Sequence, residues 1–192
     1  MNSTIFAQST SHDTNLLFMS SFISRFCFSL LFLLVGVAGL HAQTAPPSEE
    51  LVKKYHAFDF WIGEWDVYKS GTDSIVGKSV IQSIINGVAL QENYHSLRGS
   101  YEGKSLNKYN PFTEEWEQFW VDNSGLTLHL HGDYSDGKMV MGNEVQREGG
   151  SLANRITWTA HADGTVRQVW EQSTDKGESW TAIFDGLYKR TK

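Results

Sequence analysis

From Trp61 onward, apolar and polar residues alternate in short runs broken by turn chemistry. Residues 115–122 put Trp116, Gln118 and Trp120 on one face and Glu117, Phe119 and Val121 on the other. Residues 154–162 set Ile156, Trp158 and Ala160 against Arg155, Thr157, Thr159 and His161, and residues 165–172 set Val166, Gln168 and Trp170 against Arg167, Val169 and Glu171. A period of two marks a half-buried strand. Strands are predicted over 61–69, 75–85, 88–97, 104–109, 115–122, 126–132, 138–146, 154–162, 165–172 and 179–190. The breaks include Asn86-Gly87, Asp136-Gly137 and Asp163-Gly164, dipeptides that favour the positive φ of tight hairpins, so neighbouring strands should be antiparallel. The expected fold is all-β: an antiparallel meander that removes its edges by closing into a barrel of about 8–10 strands.

Ahead of the strands, Ser48 is placed to cap a short helix from Glu49 to about Ala57, with Leu51, Val52, Tyr55 and Phe58 at near-helical spacing. Further upstream, Phe26–Leu40 is fifteen residues without a charge, preceded by Arg25 and followed by the small-residue end Gly39-Leu40-His41-Ala42. At 1.5 Å per residue such a helix spans about 22 Å, short of the ~30 Å hydrocarbon core, and the pattern is that of a cleaved secretory signal. The organisation expected is an upstream extension over 1–18 with the natural start at Met19, a signal peptide over 19–42, a linker and helix over 43–57, and a barrel domain over 58–192. The expected address is secreted or periplasmic, with no stable membrane insertion after cleavage.

Composition then narrows the chemistry. The net charge of −6 argues against nucleic acid as a partner, because phosphates require a basic footprint. The single cysteine, Cys27, falls in the leader, so a disulfide framework and a cysteine-based zinc cluster are both excluded. All seven tryptophans lie beyond residue 60. Charged faces belong in water, which turns the tryptophan and glutamine faces inward; on strand 88–97 the same rule turns Val88, Leu90, Glu92 and Tyr94 inward and leaves Gln91, Asn93 and His95 outside. Wide rings interspersed with amides and an acid suit a lined cavity better than a dry aliphatic core.

The run Phe58-Asp-Phe-Trp-Ile-Gly-Glu-Trp-Asp-Val67 carries Gly63-Glu64-Trp65, which resembles the Gly-x-Trp signature of lipocalins and the wider calycin group. With Gly87–Tyr94, Tyr109–Asp122 and Phe184–Tyr188, the chain over roughly 58–190 resembles a bacterial secreted family of lipocalin-like domains of unknown function. The resemblance implies that Trp65 plugs one end of the barrel and that a basic residue of the last strand, Arg190 with Lys189 as the alternative, packs over its ring. Separately, Ser173–Trp180 is similar to the Asp-box of sialidase-like propellers; one copy without a repeat reads as a structural hairpin, with Asp175 tying the turn and Trp180 packing beneath it.

Glu92 is the titratable position of most interest, since an inward carboxylate should have its pKa raised by desolvation. His129 and His131 share a strand face, but Leu126, Leu128 and Leu130 have the stronger claim to the interior and a metal site needs a third ligand, so no metal is expected. Asp122 should cap the turn after its strand. The leading expectation is a small-molecule-binding barrel without enzymatic activity or cofactor, holding an apolar or amphipathic ligand against Leu90, Glu92, Tyr94, Trp116, Gln118, Trp120, Trp158, Gln168 and Trp170. The alternatives are an isomerase or hydrolase using Glu92 as acid or base with Tyr94, and a haem-binding barrel using His129 or His131.

Overall fold

A computed structural model describes residues 46–191. The upstream extension and signal peptide expected over 1–42 lie outside the described residues. Ser48 accepts a hydrogen bond from the Leu51 amide at 3.2 Å and starts helix α1, Glu49–Tyr55, with Glu49 and Glu50 at its positive end. The strands follow as β1 Gly63–Lys69, β2 Ile75–Ile84, β3 Ala89–Ser96, β4 Glu102–Asn110, β5 Glu115–Asp122, β6 Thr127–Ser135, β7 Lys138–Arg147, β8 Gly150–Ala160, β9 Val166–Ser173 and β10 Thr181–Arg190. Each pairs antiparallel with its sequence neighbours, and β1 pairs with β10, so the ten strands form a closed barrel. Closure satisfies the edge hydrogen bonds that an open meander would leave bare.

All ten predicted strands are present, with shifted ends. The largest shift is in β8, which begins four residues before the expected 154, and at Asp59–Trp61 a 3-10 turn replaces the first residues of the strand expected from 61. That turn drops Phe58 and Trp61 into one end of the barrel, where both are fully buried. Phe58 stacks on Trp61 at 5.0 Å and meets Trp116 and Trp158 edge-on at 5.6 and 5.3 Å. Offset and edge-on contacts of this kind are the favourable ring arrangements, and they make this end an aromatic plug. Helix α1 lies beside it, with Tyr55 edge-on to Tyr109 of β4.

Trp65 is buried on β1 directly opposite Arg190 on β10, whose guanidinium carbon stands 4.4 Å from the indole centroid. The indole N–H donates to the Trp61 carbonyl at 2.9 Å, tying strand to plug. Gly63, two residues before Trp65, has φ +148°, which disfavours any other residue, and a Cβ there would push the Arg190 guanidinium from its place. The Ser173–Trp180 hairpin is held by Asp175, which accepts from the hydroxyls of Ser173 and Ser179 and from the Ser179 amide. Arg155 lies 4.0 Å over the half-buried Trp180 ring.

Candidate functional site

The aromatic plug fills only one end. Toward the other, the inner faces of β3, β5, β6, β8, β9 and β10 border a cavity of about 250 Å³. Among the predicted residues, Glu92, Tyr94, Gln118, Trp120, Gln168 and Trp170 line it. Leu90, Trp116 and Trp158 do not: they point inward as expected, yet are fully packed against the plug. Alternation distinguishes inside from outside but carries no information on depth along the barrel axis, which strand tilt and register decide.

The lining also includes Tyr101, Leu128, Ile156, Ile183, Phe184 and Tyr188, which sequence reasoning did not place there. Tyr101 sits just before β4, in a stretch predicted as a break. On β10 the register shifts between Ala182 and Phe184, so consecutive residues Ile183 and Phe184 both reach the cavity. A bulge of this kind suspends the period-two rule. Two inward glycines make room for lining rings: a Cβ on Gly77 or Gly103 would strike Tyr94 or Trp120.

Glu92 is 2% exposed and forms the polar point of the wall. Ser79 Oγ donates to its Oε1 at 2.9 Å and Ser105 Oγ to its Oε2 at 3.2 Å. The network continues inside the barrel. Asn107 Nδ2 donates to the Leu90 carbonyl at 3.4 Å and to Ser105 Oγ at 2.9 Å, while Asn107 Oδ1 accepts from Gln118 Nε2 at 2.7 Å. Burial pushes the Glu92 carboxyl up from 4.5 to about 7, against the lowering effect of the two serine hydroxyls. Burial and the nearby Glu92 charge raise the hydroxyls of Tyr94 and Tyr188 above the ordinary tyrosine range.

Several lining donors are already committed. Trp120 Nε1 and Tyr101 Oη both donate to Asp122 Oδ2, at 3.1 and 2.9 Å. Trp170 Nε1 donates to Asn154 Oδ1 at 3.0 Å, and Tyr188 Oη to Gln168 Oε1. Asp122 also accepts from the Ser124 and Leu126 amides, so it caps its turn while anchoring two cavity residues. Partial burial acts to raise the Asp122 carboxyl, but bonds from Ser124, Trp120 and Tyr101 outweigh it and bring it down to about 2. An outer recess of about 510 Å³ adjoins the cavity, sharing Tyr94, Tyr101, Ile183 and Phe184 and adding Lys69, Arg98 and Asp185.

His129 and His131 lie on the outer wall, with Leu128 and Leu130 buried between and beside them. Neither histidine lines the cavity, so a haem held by His129 or His131 would not sit in it. Glu117, which sequence reasoning treated only as an outward residue, faces them from β5, and one ligand atom from each of the three lies within 4.8 Å of the others. Asn110 Nδ2 donates to Glu117 Oε1 at 2.6 Å and His129 Nε2 is 3.2 Å from Oε2. These three side chains could hold a divalent ion on the outer surface, apart from the cavity. Comparison of the chain with protein-family models returns no match, and comparison with curated proteins returns none.

Proposed function

We infer that the barrel binds a small amphipathic molecule, with its apolar body against Trp120, Trp170 and Phe184 and its polar end at Glu92. The observation that carries this reading is a cavity of about 250 Å³ walled by aromatic rings around one buried carboxylate. A mostly apolar pocket with a few placed polar groups is the usual form of a small-molecule site. The contact of Arg190 over Trp65, next to a glycine that cannot be replaced without a clash, supports placing the domain among the lipocalin-like barrels. A secreted or periplasmic address accords with the leader pattern at residues 19–42.

Trp120 and Trp170 report on occupancy directly. Titration of a panel of amphipathic compounds against intrinsic tryptophan fluorescence should show saturable changes, and native mass spectrometry should show one ligand per chain. Saturable binding that survives replacement of both Trp120 and Trp170 by Ala would refute a site in this cavity. A second reading, catalysis with Glu92 as general acid or base, is favoured by a carboxyl that burial pushes up to about 7 beside Tyr94. Its signature is turnover of a bound compound that Glu92→Gln abolishes while binding and fold persist.

A further inference from the structure

We propose that the ligand of this cavity carries a protonated nitrogen: it is a small aryl- or alkylammonium amphiphile whose cationic head pairs with Glu92. The proposal rests on the reading of the cavity as a binding site and assigns the chemical class of its occupant. Three observations support it. First, Glu92 is the sole acidic residue among those described as lining the cavity, and that lining contains no Lys, Arg or His. The titratable groups facing it there are Tyr94, Tyr101 and Tyr188; Lys69, Arg98 and Asp185 line the outer recess instead. A buried carboxylate without a cation leaves the Coulombic compensation to whatever enters.

Second, the hydrogen bond from Ser105 to Glu92 has a fixed direction. The Leu90 carbonyl can only accept, so it orients the Asn107 amide with its nitrogen toward Leu90 and Ser105. Ser105 Oγ thereby accepts from Asn107 and turns its own hydrogen to Glu92. With Ser79 donating to the other oxygen, both carboxylate oxygens receive donors, the arrangement that suits an ionised acceptor.

Third, the rest of the wall has few donors left to give. The N–H groups of Trp120 and Trp170 and the hydroxyls of Tyr101 and Tyr188 are spent on Asp122, Asn154 and Gln168. Among the described lining residues, what remains toward a ligand is mainly ring surface, with the Gln168 amide nitrogen, the second Gln118 N–H and the Tyr94 hydroxyl as side-chain donors not spent within the protein. Ring faces attract cations through their quadrupole and offer nothing to an anion. Ring surface, one carboxylate and few donors together select a cation with an apolar tail.

The test compares three near-isosteric probes by calorimetry: 2-phenylethylammonium, 2-phenylethanol and 3-phenylpropionate, each at pH 5 and pH 8. The ammonium should bind at least about tenfold tighter than the alcohol at pH 8 and lose about tenfold or more in affinity at pH 5, where Glu92 is protonated, while the alcohol changes little. Glu92→Gln should erase the preference and keep alcohol binding. Should that variant fail to fold, the wild-type pH series decides alone. Equal affinity of ammonium and alcohol at pH 8, or tightest binding of the propionate, would overturn the ammonium assignment while leaving the binding cavity standing. Failure of all three to bind would overturn both.

Discussion

Arg190 lies over the ring of Trp65 across the strand pair that closes the barrel, its guanidinium carbon 4.4 Å from the indole centroid. The last residue of the last strand thus covers a ring on the first, and one contact serves both the core and the closure. Removing the cation exposes an indole that is otherwise 1% accessible. Arg190→Ala should therefore cost about 1–2 kcal/mol in urea denaturation, from lost cation–π attraction and lost cover. Arg190→Lys should recover only part of this, because an ammonium cannot lie flat on the ring. An unchanged midpoint in Arg190→Ala would show that closure depends on the backbone ladder alone.

The plug holds a contrast among its indoles. Trp65 Nε1 donates to Trp61, whereas the ring nitrogens of Trp61, Trp116 and Trp158 are buried without a partner. An unpaired buried donor costs about 1–3 kcal/mol. Trp→Phe at such a site removes that cost while leaving a small void worth about 1 kcal/mol. Trp116→Phe and Trp158→Phe should thus stay within about 1 kcal/mol of wild type. Trp65→Phe should lose about 2–4 kcal/mol, since it forfeits a made bond and the face beneath Arg190. Equal losses at all three sites would mean that ring volume alone governs the plug.

The barrel was legible because its outer face is charged. Lys104 and Lys108 flank Ser105 and Asn107 on β4, and Lys78 precedes Ser79 on β2, so the same alternation that turns Trp120 inward also places these small polar residues inside. Their role with Glu92 was not legible, since it depends on cross-strand register: Ser105 is the direct partner of Glu92, and Ser79 sits opposite Tyr94. Depth was the other missing quantity. Trp116 and Trp120 share a face of β5 four residues apart, yet one is in the plug and the other in the cavity wall. The cluster of Glu117 with His129 and His131 likewise needed the β5–β6 register, because the acid comes from the neighbouring strand.

Glu92 makes stability depend on pH in a defined window. Its folded pKa of about 7 lies above the ordinary 4.5, so folding favours the protonated form. Below pH 4.5 the group is protonated in both states and its contribution is fully present. As pH rises to 7 the unfolded chain ionises while the folded one holds its proton, and about 3 kcal/mol is lost across the interval. Asp122, brought down to about 2, acts with the opposite sign, but its window lies below pH 4. Urea unfolding should find the wild-type protein about 2–3 kcal/mol less stable at pH 8 than at pH 5, relative to Glu92→Gln. Parallel pH profiles for the two proteins would show that the carboxyl titrates in its ordinary range.

Gly103 offers a way to narrow the cavity from behind one of its lining rings. It is buried on β4, and a Cβ there would strike the six-membered ring of Trp120, which is tethered through its N–H to Asp122. The backbone of β4 is held on both sides by β3 and β5, so the ring must move and not the strand. Gly103→Ala should then displace Trp120 toward the cavity, at about 1–3 kcal/mol for overpacking. Ligand affinity should fall about tenfold or more, with a shift in tryptophan emission before any ligand is added. Gly71→Ala provides the comparison: a Cβ there meets nothing within 4 Å, so its cost is confined to the backbone strain of φ +72°. If Gly103→Ala binds ligand as wild type does while Trp120 emission shifts, the ring has moved without entering the binding volume, and the occupant lies nearer Trp170.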